Sequence, residues 1–501
     1  MKDIIISSSD YNHITHMIDE AEISARYGNQ VFFLLCNSYL GYCGCNTNGN
    51  TFKCFRCVRY TKRLLKKCSQ NIHVIELDQK IMDDIRIEVD KVKYVYHSID
   101  DIKSLEYKGA KVGYGCLSAY ITATRNINFL IDDVFRDYFD KLLKTGCYFA
   151  EFQLRMIDDI QPDRIQLFNG RFFETRAAVD FALQRHILLK CCEQQRILTN
   201  TFHKIFFHNA MPHDISANTK IINQTWEKEN MSLEEKERYG QWFFESKQNH
   251  TYCGDIDYTI LQENEKLPDN WDYSKKNYVI FNSSEDENIC ISEEYDKGKV
   301  FKTQYEGISY IADLLKDRND IIIYLRIHPN LRNVKYKYHT DLLGLGGKYH
   351  NLFVIPADSD VSTYALMHKA NKVITFGSTA GIEASYMGKP VIALSRNSHS
   401  GLDMCYEAVH VEEARQLLLS DDLKPKPQLE SIKYGFFQMN PHLPKYSFFD
   451  FNYHDITFLG RQIRCYNLAK YLGSTTLYAL VGWGIGHFFT KDTLPDKEDF
   501  R

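Results

Sequence analysis

The chain has 501 residues, 44% of them hydrophobic and 25% charged, the balance of a soluble globular protein and more length than one core usually supports, so two domains are expected. Its formal net charge of -4 lacks the basic excess of a duplex binder and excludes nucleic acid as a general partner. Residues 1–10 put a very short apolar core ahead of polar residues, unlike a secretory signal. A cytoplasmic protein is therefore expected, with its 14 cysteines mostly reduced thiols.

In chain order, Asp3–Ser7 reads as a short apolar strand, Ile14–Tyr27 as a helix that stops at Gly28, and Val31–Cys36 as a second strand. A charged helix over about Phe55–Lys67 leads into a strand at His73–Leu77. Residues 117–158 read as mostly helical, and Arg164–Phe168 as a strand ending at Asn169-Gly170-Arg171. From Thr225 to Lys276 polar and charged residues dominate, which marks a partly helical connection with a domain boundary near residue 270. The alternation then resumes, with strands at Tyr278–Phe281, Ile321–Leu325, Leu352–Ile355, Val373–Phe376 and Val391–Leu394. This rhythm predicts an α/β protein of two Rossmann-like domains with parallel sheets, at 1–270 and 271–430, followed by a tail at 431–501.

Two stretches of the second domain carry chemistry. Gly377-Ser378-Thr379 lies between a strand and a helix, where glycine lets the chain approach an anion and hydroxyl and amide groups can bind phosphate oxygens. Glu383 falls one turn after Thr379, where a ribose diol could be held. The plainer reading makes Ser378 a helix cap and Glu383 a solvated helix residue. Arg326 and His328, two apart at the end of a strongly apolar strand, point the same way before Pro329 stops it. Arginine offers phosphate a planar donor fork, and histidine a hydrogen bond or a proton.

The series FNSSEDEN (281–288), RIHPN (326–330) and STYALMHKANKVITFGSTAGIEASYMGKPVI (362–392) resembles the nucleotide-binding half of bacterial capsule and surface-polysaccharide biosynthesis glycosyltransferases. The resemblance implies a GT-B fold, two facing Rossmann-like domains with a nucleotide-sugar between them, and it places His328, Ser378 and Thr379 on the donor phosphates. LFNGRFFETR (167–176) is similar to an Asn-Gly-Arg signature of the same group, which sets Asn169 and Arg171 on the acceptor side of the cleft. Glu193, in Cys192-Glu193-Gln194, matches a glutamate segment of that group without its Arg-Gly neighbours. Transfer to a hydroxyl needs a base from this wall. Asp10, His13, Glu193, His213 and Asp214 are the candidates, with Glu193 and Asp214 ranked first. No metal or cofactor is required by the resemblance. Its partners are a nucleotide-sugar and a capsule or lipopolysaccharide glycan acceptor, which peripheral attachment to the inner membrane face would suit if lipid-linked. A sugar-nucleotide epimerase or polyol-phosphate transferase of the same fold, and a non-catalytic nucleotide-sugar-binding component of an export complex, stay open as alternatives.

Two further stretches stand apart. Cys43-Gly-Cys45 and Cys54-Phe-Arg-Cys57 put four thiols close in sequence, readable as a structural zinc site, as reduced structural thiols or as a redox group. The apolar Tyr471–Phe489, preceded by Arg461, Arg464 and Lys470, reads as a helix returning to the first domain or as an element lying on an anionic membrane surface.

Overall fold

The computed structural model describes residues 1–7, 11–197, 201–252, 254, 257–451, 456–458 and 461–462. Asp10 and Tyr471–Phe489 lie outside the described residues. The first sheet has six strands in the order β3-β2-β1-β4-β5-β6: β1 (Lys2–Ile6), β2 (Gln30–Leu35), β3 (Ile72–Glu76), β4 (Arg164–Phe168), β5 (Leu188–Ile197) and β6 (Thr201–His208). All neighbours run parallel except β5 and β6, which are antiparallel. The second sheet is parallel throughout and repeats the order as β12-β11-β10-β7-β8-β9. Its strands are β7 (Lys276–Phe281), β8 (Ile321–Arg326), β9 (Leu352–Ile355), β10 (Lys372–Thr375), β11 (Val391–Ala393) and β12 (Tyr406–Glu407). Each sheet thus has the doubly wound Rossmann order. Two such units in one chain make the α/β architecture of a GT-B fold.

Burial on both faces explains the continuous apolar runs. Along β7, Tyr278 and Ile280 pack into one core, with Ile308 and Ile311 of the helix Gln304–Leu315. Val279 and Phe281 point the other way, toward Leu366 of the helix Thr363–Lys369 and Ala384 of the helix Ala380–Tyr386. The expected strands of the second domain are all present, and β12 adds to them. In the first domain the expected strands are present, but the β5–β6 hairpin is an addition. Residues 117–158 are mostly helical as expected, in two helices, Val112–Thr124 and Asp133–Ile160, separated where Arg125 turns left-handed at φ 59°.

The chain beyond the second sheet runs back to the first domain. Helix Leu429–Met439 lies against helix Leu233–Gln248, with Gly240 and Gly435 at the crossing. A Cβ on either would collide with the other helix's backbone. Past this helix, the Lys204 amide donates to the Pro444 carbonyl at 2.7 Å, and Asp19 accepts the amides of Ser447, Phe448 and Phe449. Asp19 and Glu20 also hold the buried Lys204 ammonium. Burial alone would raise Glu20, and Lys204 and Lys190 beside it bring it down to about 2. Among the described residues, no helix is long and apolar enough to cross a membrane.

Gly240→Val should lower the urea-unfolding free energy by roughly 1–3 kcal/mol through overpacking at the helix crossing. Gly344→Ala, where an added Cβ meets nothing within 4 Å, should leave it unchanged or slightly higher. Equal melting curves for wild type and Gly240→Val would refute the close crossing.

Candidate functional site

The strands β7, β8 and β10 are neighbours, and the strand order reverses between β7 and β10, the place where open parallel sheets bind ligands. A cleft of about 110 Å³, partly open to solvent, lies there. Arg326 and His328 enter it from the end of β8, Ser378, Thr379 and Glu383 from beyond β10, and Asn282 from the end of β7. The structure therefore brings five of the sequence-derived residues to one cavity. Its outer wall comes from the end of helix Leu233–Gln248 and the segment after it, through Lys247, Asp257, Tyr258 and Thr259. That segment read in sequence only as a polar connection.

The turn Asn282-Ser283-Ser284 ties the two motif loops together. Asn282 Oδ1 accepts the His328 amide at 2.8 Å, and Ser283 Oγ donates to the Phe376 carbonyl at 2.7 Å, just ahead of Gly377. All three side chains are buried. Gly377 itself sits at φ 80°, a conformation that favours glycine. Ser378 Oγ accepts the Ala380 amide at 3.3 Å, a local cap, and Thr379 is exposed.

His328 is half-buried, with Tyr258 packed edge-on at 5.2 Å between ring centroids. Its Nδ1 accepts the Asn330 amide at 3.2 Å, which puts the ring hydrogen of the neutral form on Nε2. Burial, with the Arg326 cation nearby, pushes the imidazole down to about 4, so at neutral pH it is an uncharged donor. Arg326 differs from the expectation of a free phosphate fork. Its guanidinium is buried and donates to the carbonyls of Pro356 and Ser359. Only Nε is left with no partner among the described residues. Glu383 likewise is no solvated helix residue: its carboxylate takes the Tyr364 hydroxyl at 2.8 Å and the Lys247 ammonium at 3.1 Å.

The acceptor-side residues form a separate cluster on the first domain, and none of them lines the cavity of His328. Asn169 is left-handed at φ 64°, and its side-chain amide donates to Glu193 Oε2 at 2.8 Å and faces His213 Nε2 at 3.2 Å. Burial raises Glu193 and pushes His213 down to about 3. His13 stacks on Phe168 at 3.8 Å. Asp214 instead accepts the Met211 amide at 2.7 Å, which makes it the brace of its own turn. Arg171 donates to Ser118 Oγ at 2.7 Å and to the Ile289 carbonyl of the second domain at 3.4 Å.

Arg125, which the sequence reading passed over, joins the domains at the site. It meets Asp286 at 2.7 Å, Ser284 Oγ at 2.8 Å and the Asn330 carbonyl at 2.9 Å, touching both FNSSEDEN and RIHPN. Its signal in sequence was only a lone arginine after a buried helix. The zinc reading of the cysteines finds no ligand set: among the described residues no group of three or more His, Cys, Asp or Glu is placed to hold a metal ion.

No family model matches the chain, and no curated protein matches it. Among solved structures it is similar to Thermosulfurimonas dismutans KpsC, a beta Kdo 2,4 transferase, at 13% identity over 55% of this chain and 79% of that one, with a TM-score of 0.35. It is similar to UDP-GlcNAc 2-epimerase from Neisseria meningitidis bound to UDP-GlcNAc, at 12% identity over 95% and 100% of the two chains, with a TM-score of 0.28. The glycosyltransferase SnogD from Streptomyces nogalater aligns at 11% identity over 89% and 96%, with a TM-score of 0.23. No residue role is carried over at such scores.

Arg125→Ala strands the buried Asp286 carboxylate and should cost about 3–5 kcal/mol in urea unfolding, whereas an unchanged midpoint would show the pair to be dispensable. Burial holds His16, His213, His328 and His399 neutral in the folded chain, well below the ordinary value of 6.5. The unfolded chain thus binds more protons below 6.5, and the stability present above that pH is lost as pH falls toward 4. Unfolding free energy should drop between pH 7 and pH 5 by up to about 1.4 kcal/mol per histidine per pH unit. His328→Gln should shallow that slope, and a flat profile would contradict the neutral assignment.

Proposed function

We propose that the chain is a nucleotide-sugar-dependent glycosyltransferase that extends a capsule or lipopolysaccharide glycan. The observation that carries this reading is the meeting of His328 with Ser378 and Thr379 at one cavity on the switch point of the second sheet. In transfer, the bond between the sugar's anomeric carbon and the phosphate oxygen breaks, and charge grows on the departing nucleotide phosphate. His328 Nε2–H and the Ser378 and Thr379 hydroxyls donate to those oxygens, and the buried Arg326 cation adds positive potential. Glu383, steadied by Tyr364 and Lys247, takes the ribose hydroxyls.

On the first domain, Glu193 takes the proton from the acceptor hydroxyl. Burial raises both Glu193 and Asp214 toward the range of a useful base, and Glu193 fits better because Asp214 braces its own turn. Asn169 holds Glu193 in place and Arg171 spans from this wall to Ile289. The donor mechanism asks for no metal.

The test is a panel of nucleotide-sugars incubated with and without an acceptor glycan fraction, scored by free nucleotide. Acceptor-dependent release is expected. His328→Ala should lower kcat/KM by roughly 10²–10³ with the thermal midpoint nearly unchanged, and Glu193→Gln should lower kcat while donor affinity holds. Interconversion of two nucleotide-sugars without acceptor would replace the transferase by an epimerase. Donor binding with no turnover would make the chain a binding component.

A further inference from the structure

A second cavity, of about 270 Å³, lies in the first domain outside the carboxyl ends of β1 and β2. Leu35, Leu40, Val58 and Phe149 contribute to its walls, together with the thiols of Cys54 and Cys57. Burial pushes both thiols above their ordinary value, so they act as small apolar groups. An apolar cavity of about 150 Å³ already accepts a benzene-sized ligand. This one, partly open and with Glu174 and Asn46 also in its lining, has room for a longer chain, whose methylenes would contact the apolar walls.

One wall is the helix Thr51–Leu65, which presents Cys54, Cys57, Val58 and Thr61 inward at helical spacing. Its other face is basic. Between Lys53 and Lys67 stand Arg56, Arg59, Lys62, Arg63 and Lys66, with no acidic residue among them. Lys53, Arg56, Arg59, Arg63 and Lys66 are exposed, and Phe55 beside them is 56% exposed. Lys53 and Arg56 also line the cavity. They sit near the helix N-terminus, where the dipole disfavours cations, so their placement is not explained by helix stability.

We propose that this cavity takes the apolar chain of a phosphate-bearing lipid, with Lys53 and Arg56 on the phosphate, and that the helix's basic outer face lies on the anionic membrane surface that supplies it. A basic amphipathic helix with an exposed aromatic residue is suited to such a surface. A single-stranded nucleic acid would use the basic face and could stack a base on Phe55, but it would leave the apolar cavity unused. That the lipid carries the acceptor glycan rests on the transferase reading above; the binding itself does not.

The full chain is titrated by calorimetry with dodecyl phosphate below its micelle concentration, with inorganic phosphate as the control. It is also sedimented with vesicles of phosphatidylcholine alone or mixed with phosphatidylglycerol. Dodecyl phosphate should bind at least about tenfold more tightly than inorganic phosphate, since several methylenes leave water, and sedimentation should require phosphatidylglycerol and weaken with salt. Val58→Trp, which fills the cavity, should abolish dodecyl phosphate binding and keep vesicle binding. The rim variant Lys53→Glu with Arg56→Glu gives the same readout on dodecyl phosphate without touching the core. Arg59→Glu with Lys66→Glu should lose the vesicles and keep dodecyl phosphate. Equal affinity for inorganic phosphate, vesicle binding indifferent to lipid charge, or capture of single-stranded RNA in preference to anionic vesicles would each overturn the proposal. Lipid binding that persists when no nucleotide-sugar is turned over would sink the transferase reading and leave this one standing.

Discussion

In a doubly wound sheet the loops after β8 and β10 diverge, because the connections that follow them pack on opposite faces. Here the helix Lys337–Gly344, after β8, packs on the core that holds Tyr278 and Ile280, and Ala380–Tyr386, after β10, on the core of Val279 and Phe281. The ladder stops holding these loops together once β8 ends at Arg326 and β10 at Thr375. Side chains of the central turn do it instead. Asn282 reaches the His328 amide and Ser283 the Phe376 carbonyl, while Gln304 and Asn288 both donate to Ser283 Oγ, at 2.9 and 3.1 Å. Each of these bonds satisfies a polar group in a buried corner, where leaving one unpaired costs about 1–3 kcal/mol. A cavity bounded by both loops exists only while that corner stays intact.

The same turn connects inward to the other domain. Ser284 donates to Asp286 Oδ1 at 2.6 Å and receives Arg125, which also holds the Asn330 carbonyl. Asn330 in turn gives its amide to His328 Nδ1 and its side chain to Glu287. His328 is therefore oriented by two backbone contacts, and one of them leads through Asn330 to the first domain. Lys103 and Tyr114 meeting Asp296, and Lys111 meeting Glu293, extend the contact between domains along the segment after FNSSEDEN. A shift of the first domain would be felt at the imidazole through packed polar contacts, without any element of the second sheet moving.

Strands β1, β2, β4, β7, β8, β10 and β11 were legible because both faces are covered and apolar residues dominate their runs, whereas the less buried β3 and β9 were read from short apolar stretches alone. The β5–β6 hairpin was not, because Glu193-Gln194-Gln195-Arg196 fills the outer half of β5 with polar residues that are only half-buried. The break after Thr124 carries neither glycine nor proline, and Arg125 adopts the left-handed turn itself, so nothing punctuated 117–158. At the site, His328, Ser378 and Thr379 could be placed from strand ends and a turn glycine. The outer wall could not: Lys247, Asp257 and Tyr258 belong to a polar stretch whose use depends on the fold of distant strands. Arg326 shows the opposite limit. Its position at a strand end was legible, but that its guanidinium would be taken up by the Pro356 and Ser359 carbonyls depends on the loop after β9, which no local pattern reveals.

That arrangement bears on what the cavity favours. Arg326 is buried, and among the described residues no carboxylate forms an ion pair with it, Asp358 and Asp360 favouring its charge only from further away. Burial brings it down to about 10, so it still carries its charge at neutral pH. The carboxylates that line the same space are already engaged, Glu383 with Lys247 and Asp257 with His250 at 2.7 Å. Carbonyl dipoles solvate the guanidinium without cancelling its charge, and the neutral His328 offers a proton without adding a second one. A buried cation so compensated is costly, and the cost falls when an anion enters. The positive potential also grows more effective as water is excluded. The cavity thus favours a ligand whose negative charge reaches toward β8 and accepts protons from its rim, and it disfavours a cation or a purely apolar molecule. This preference follows from where the charges are left uncompensated, whichever sugar or base completes the ligand.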